Sequence, residues 1–217
     1  MLIFSSGAFA KKWANNIGVG VSVAGSFIGV NQKDADDIFQ LGYGAEVTYI
    51  GVHENGLSAK ANISVGVETS KDIALQDREV NVGAFENIVL GVGYSFVNSE
   101  RLLLGVFATA GVEMGQYSFT EEEDGVDGNE TYDVTTTRSF VTLSAGTDIF
   151  AVYRLSQKLG IFANLGARYI FNGNESRETL KDGRSSKRGE HKNNSPDKIA
   201  LFGKFIVQPT IGVVWTF

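Results

Sequence analysis

The feature that most limits the folds open to this chain is the alternation at its C-terminal end. Counting back in twos from Phe217, the residues are Trp215, Val213, Ile211, Pro209, Val207 and Phe205, all apolar. Between them lie Thr216, Val214, Gly212, Thr210, Gln208, Ile206 and Lys204, mostly small or polar. A period of two is that of a strand with one apolar face. The pattern holds from Ile199 to Phe217, well beyond the length of about 5–6 residues usual for strands in soluble domains. It exceeds the roughly 9–11 residues that a tilted strand needs to cross a hydrocarbon layer.

The same alternation recurs through the chain. Apolar residues share one face over Ile17–Val30, Phe39–Tyr49, Leu57–Val67, Ile88–Phe96, Leu102–Met114, Val141–Tyr153 and Leu159–Phe171. With the last segment this makes eight strands. The polar stretches between them alternate in length. Short turns fall near His53–Gly56, Asn98–Arg101 and Arg154–Lys158, and long loops at 31–37, 69–79, 118–133 and 172–198. The 118–133 loop holds seven Asp/Glu and no Lys or Arg, whereas 172–198 holds seven Lys/Arg against five Asp/Glu.

Periodicity alone leaves two barrels open, because it does not say which face is inside. A soluble barrel buries the apolar face and shows the other to water. Here the other face is Gly-, Ser- and Thr-rich with few charges, which suits a crowded lumen better than a solvated surface. Aromatic residues also gather near strand ends, as at membrane interfaces: Tyr49, Tyr94, Phe96, Tyr153, Trp215 and Phe217 toward one end, and Phe39, Tyr169, Phe171 and Phe205 toward the other. The expectation is an all-β chain folded as a closed eight-stranded antiparallel up-and-down transmembrane β-barrel. Closure is required because a bilayer offers no partner to an open edge.

An apolar-alternating final strand ending in Phe resembles the closing strand of bacterial outer-membrane β-barrels, and the whole pattern resembles the small barrels of the OmpA, OmpX and OmpW type. The resemblance implies an integral outer-membrane location and contact with outer-membrane lipid. It also implies recognition of Phe217, Trp215 and Val213 by the outer-membrane insertion machinery as an assembly signal. Surface loops that bind a host or environmental ligand are the function it implies first. A porin-like OmpW-type conduit for small apolar solutes is the alternative, with inward Phe107, Phe140 and Phe162 as its lining and Pro209 as a weak point in the wall. Residues 1–10 are expected to be the tail of a cleaved signal peptide, since Ala8-Phe9-Ala10 fits a small-x-small site, leaving 11–217 as the barrel.

Charges on the lumen face should pair, because an isolated buried charge is costly. Glu46 and Lys60 sit symmetrically about the His53 turn and are expected to be cross-strand neighbours, with Asp148 at their level. Glu113, Arg168 and Lys204 fall higher. Two charge-balanced structural clusters are expected. Chemistry beyond this is sparse. There is no Cys, and the two histidines, His53 and His191, lie in a turn and a loop without a partner Ser or Asp at strand spacing. Gly18-Val19-Gly20 and Gly91-Val92-Gly93 lack the third glycine and following helix of a nucleotide site, and 124–130 lacks calcium-loop spacing. No enzyme activity, cofactor or metal is expected, and at a net charge of −6 no nucleic-acid partner. Pro209 cannot donate a ladder bond, so a bulge or broken pairing is expected there.

Overall fold

A computed structural model describes residues 13–28, 38–72, 81–124, 131–183, 199–200 and 204–217. The expected signal-peptide tail and the 31–37 loop lie outside the described residues. The strands are β1 (Trp13–Ile28), β2 (Ile38–His53), β3 (Leu57–Asp72), β4 (Asn81–Asn98), β5 (Leu102–Asp124), β6 (Thr131–Arg154), β7 (Leu159–Gly183), β8 (Ile199–Ala200) and β9 (Lys204–Thr216). Neighbours pair antiparallel from β1 to β7, β9 pairs both β7 and β1, and the wall is therefore closed. β8 meets β7 at Asn174 and Glu175 in the register that β9 keeps lower down, so β8 and β9 are two pieces of one eighth strand.

The registers fix the geometry of the cylinder. A path stepping between ladder partners leaves β1 at Ile17 and passes Tyr49, Ala61, Leu90, Ala110, Ala145, Tyr169 and Phe205. It re-enters β1 at Phe27, ten residues further along. At about 3.3 Å per residue this offset is about 33 Å, against about 38 Å for eight inter-strand steps of about 4.8 Å, so the strands tilt by about 40°.

The apolar face points out. Val21, Leu90 and Val92 are 65%, 62% and 67% exposed, while Glu46, Lys60, Asp148 and Arg168 are at most 3% exposed. A wall of bare Val, Ile and Leu around the whole circumference is unstable against water and stable against lipid tails. The soluble-barrel alternative is thus excluded by the direction of the pleat. Tyr94, Phe96, Tyr153, Trp215 and Phe217 are exposed near the short turns, and Tyr169, Phe171 and Phe205 near the opposite rim.

Two register shifts fall at these rims. One lies between Ser95 and Val97 and leaves Phe96 as the extra residue; the other lies at Leu143/Ser144, opposite which Phe171 is the extra residue of β7. Both extra residues are exposed aromatics. At Pro209 there is no bulge. The β1–β9 ladder skips from Ser22↔Thr210 to Gly25↔Val207 with the register unchanged, while Leu165↔Pro209 holds on the other side. The missing proline N–H removes a rung and nothing else.

Inside, glycine marks where rings lie. A Cβ on Gly18 would come 2.7 Å from Phe162, on Gly42 2.9 Å from Phe85, and on Gly93 2.8 Å from Phe107. Phe162 reaches from β7 across β9 to β1, because Gly18, Gly20 and Gly212 all sit under its ring. Gly56 serves differently: its φ of +91° closes the β2–β3 turn, where its N–H donates to His53 O at 2.9 Å.

The long polar stretches are only partly loops. β5 runs to Asp124, β6 starts at Thr131 and β7 runs to Gly183, so most of 118–133 and the first part of 172–198 are paired strand. Polarity marks where the chain leaves the membrane, and pairing continues beyond that point through residues such as Thr135, Thr136 and Thr137 that favour strands.

Gly20→Val should place its Cβ 2.5 Å from Ile211 O and 2.9 Å from Phe162 Cζ. A loss of about 1–3 kcal/mol is expected from this overpacking, measured by urea unfolding of the barrel in micelles. Unchanged stability would mean that Phe162 is not packed on the seam.

Candidate functional site

The lumen has two layers near the short turns, an apolar floor and a polar network above it. Phe107, Phe150, Phe162, Ile50, Val52, Leu103, Val152 and Val214 form the floor, none more than 1% exposed. Phe150 and Phe162 stack with centroids 5.6 Å apart. Each of these residues falls on the inward parity of its strand, and together they fill the cylinder from side to side.

Lys60 stands on this floor, its Nζ 5.9 Å from the Phe107 centroid and 5.6 Å from that of Phe150. It donates to Asp148 Oδ2 at 2.5 Å and to Asn164 Oδ1 at 2.7 Å. Arg168 lies 3.7 Å from Asp148 Oδ1 and donates to Gln208 Oε1 at 2.5 Å. The Gln208 amide passes the chain on, donating to Ser64 Oγ at 3.1 Å and Glu46 Oε2 at 3.3 Å. Glu46 also accepts from Thr210 at 3.0 Å, Asn62 at 3.2 Å and Ser64 at 3.3 Å. Its carboxylate is held by four neutral donors.

The sequence-derived expectations meet this network unevenly. Glu46 and Lys60 are not cross-strand neighbours: the ladder sets Glu46 against Ser64, and Lys60 against Ile50. The reason is the turn, which spans only Glu54–Gly56 and so is centred two residues later than symmetry about His53 requires. Lys60 instead reaches across the lumen to β6. Arg168 belongs with Asp148, so Glu46, Lys60, Asp148 and Arg168 form one network of zero net charge, and the rest of the expected upper cluster, Glu113 with Lys204, falls partly outside the described residues. Glu113 is buried at 5% exposure and pairs in register with Asn87 and Thr142. Lys204 opens β9 opposite Ile170, and its side chain lies outside the described residues. Gln208, the link between the two charged ends, carries no charge and so escapes a search for ion pairs. Its signal was the inward parity of the last strand.

The remaining candidates are structural. His53 Nδ1 and Asn55 Oδ1 are 2.8 Å apart, and the His53 ring packs edge-on against Trp13 at 5.2 Å. His191 and 125–130 lie outside the described residues. No group of three His, Cys, Asp or Glu able to hold a metal occurs among the described residues. Phe107 and Phe162 are wholly packed in the floor, and Phe140 covers Gly115. Val213, Trp215 and Phe217 face outward on the sealing strand, and Phe217 exchanges backbone hydrogen bonds with Asn15 at 3.0 and 3.2 Å.

No protein-family model and no curated protein matches this sequence. Solved structures do. A major outer membrane protein from Thermus thermophilus aligns over 93% of this chain and 99% of its own, with a TM-score of 0.54 at 14% identity. OprG of Pseudomonas aeruginosa aligns over 95% and 96%, with a TM-score of 0.54 at 10% identity. Neisserial surface protein A aligns over 93% and 97%, with a TM-score of 0.51 at 9% identity. The chain has the fold of the small outer-membrane barrels. That fold and the apolar wall together make it an integral membrane protein of the outer-membrane type, with lipid around its circumference.

Lys60→Met removes the closest counter-charge of a fully buried carboxylate. Unfolding in micelles should show a loss of about 3–5 kcal/mol. Equal stability of the single variant and the parent would refute a paired core.

Proposed function

We propose that this protein sits in the bacterial outer membrane and presents an extracellular surface for recognition or adhesion, with no catalytic role. The observation that supports this best is a mismatch between its two ends. The lumen is filled by side chains near the short turns. At the opposite rim β5, β6 and β7 run to 23, 24 and 25 residues, against 16 to 18 for β1–β4. Among the described residues the β4–β5 ladder ends at Gly83↔Tyr117, but β5 stays paired with β6 to Asp124, and β6 with β7 as far as Tyr132↔Gly183. Among the described residues, β5, β6 and β7 thus carry a three-stranded sheet about 20 Å of strand beyond the last β4–β5 rung. Membrane crossing does not require that length.

In this reading the short turns are periplasmic, the raised sheet and the long connections face outward, and the ligand belongs to the host or the environment. Val213, Trp215 and Phe217 act as the assembly signal read by the insertion machinery, consistent with their outward position on the strand that seals the wall.

A conduit for small apolar solutes is the second reading. It draws on the rung missing beside Pro209, where Val23 and Ala24 lack ladder partners on β9. The packed Phe107 and Phe162 weigh against a path along the axis.

Replacing Ser118–Asp133 by a tight turn should leave a folded, heat-modifiable barrel and abolish surface binding of the cells to their substratum. Undiminished binding would sink the recognition reading. Single-channel recording in planar bilayers should give no steady conductance for the parent or the trimmed form, and a steady conductance in both would favour the conduit.

A further inference from the structure

The rim at the short turns carries positive charge that the chain itself does not answer. Arg101 closes the β4–β5 turn, and Arg154 and Lys158 bound the β6–β7 turn. One step beyond the Leu102↔Tyr153 pair, the Arg154 N–H donates to Arg101 O at 2.8 Å, which sets two arginines opposite each other. Directly opposed like charges destabilise a sheet, and an opposite charge beside them relieves it. The two turns hold three cations against one acid, Glu100. Among the described residues no carboxylate comes within ion-pair distance of Arg101, Arg154 or Lys158. The guanidinium of Arg154 meets only neutral oxygens, those of the Ser99 carbonyl and the Asn98 amide. Nor does the sequence ahead of β1 supply an acid: 1–12 contain none and end in Lys11-Lys12.

The apolar surface at the same place runs past the aromatic belt. Leu155 continues the outward row of β6 beyond Tyr153 and is 59% exposed. A leucine so placed is costly against water and stable against acyl chains. Phe96, the extra residue of the β4 bulge, is exposed beside the other turn. The lipid boundary is therefore drawn down to the turns here, and headgroups at that depth stand level with Arg101, Arg154 and Lys158. Basic residues next to a membrane favour anionic headgroups, each by roughly fivefold in affinity. Long cationic side chains reach such headgroups while their stems stay on apolar surface.

We propose that the β4–β5 and β6–β7 turns bind an anionic phospholipid of the leaflet they meet, its phosphate held by Arg101, Arg154 and Lys158 and its acyl chains lying on Leu155, Tyr153 and Phe96. The inference goes beyond the surface-recognition reading and is independent of it, since it concerns the opposite rim. Two observations select this guest over a soluble anion: the cations are uncompensated, and the surface beside them is continuous with the lipid-facing wall. Arg154 is already tied across the two turns by its hydrogen bonds to Ser99 and Asn98, so part of the site is ordered before the lipid arrives.

The test is native mass spectrometry of the full chain released from micelles that contain phosphatidylglycerol and phosphatidylcholine with the same acyl chains. Phosphatidylglycerol should be retained on the order of tenfold better. Arg101→Gln/Lys158→Gln should lose most of that preference while remaining heat-modifiable, since both side chains are exposed and Arg154, which ties the turns, is left in place. Leu155→Ser should weaken retention of both lipids and leave the preference between them. Equal retention of the two lipids by the parent overturns the proposal. So does an undiminished preference in the Arg101/Lys158 variant, which would move the lipid to another basic segment, and so does a Leu155→Ser variant that holds both lipids as the parent does. Displacement of phosphatidylglycerol by millimolar glycerol phosphate would make the site one for soluble anions and overturns it as well.

Discussion

A backbone surrounded by lipid has no solvent to hydrogen-bond, so each amide in the wall must find its partner in the next strand. In this chain that demand is met by a ladder closing on itself with an offset of ten residues. Strand number and offset together set the tilt and the bore. A bore this narrow leaves room only for side chains. The inward face must then be mostly small, with a few large residues whose neighbours are cut back to glycine, as Phe162 is matched by Gly18, Gly20 and Gly212, and Phe85 by Gly42, Gly44 and Gly66.

The polar lumen follows from the same confinement. An apolar filling at every level would leave little to tell the two faces of each strand apart, and a charged one has to be neutral as a whole. The observed solution puts greasy residues at the end near the short turns and a charge-neutral network above. Asp148 sits between Lys60 and Arg168, and Glu46 is served by amides and hydroxyls. Gln208 joins the two because its amide donates at one end and accepts at the other. Residues from β2, β3, β6, β7 and β9 meet in one network, so it ties together strands that share no ladder.

The wall was legible in the sequence because a period of two, held over many residues, is difficult to produce by other means. Which face is inside was legible from small residues and from aromatics at strand ends. Register was not. Placing Glu46 opposite Lys60 required the centre of the turn to within one residue, and Gly56, with its positive φ, moves that centre. The raised sheet was hidden for another reason: outside the membrane a strand needs no apolar face, so Ser118–Asp124 and Asn174–Gly183 read as loop although they pair. The network's neutral members escaped because a search for balanced charge passes over Asn, Gln, Ser and Thr even where their parity is inward.

The two aromatic bulges bear on how such a barrel can change length over evolutionary time. A single inserted residue normally exchanges the faces of everything beyond it. At Phe96 and Phe171 the surplus residue is instead looped out toward the headgroup region, where a benzyl ring is welcome, and the alternation resumes beyond it. Insertions and deletions of one codon should therefore be survivable at the two interfacial belts and lethal between them, so that length variants of this wall would cluster near the rims.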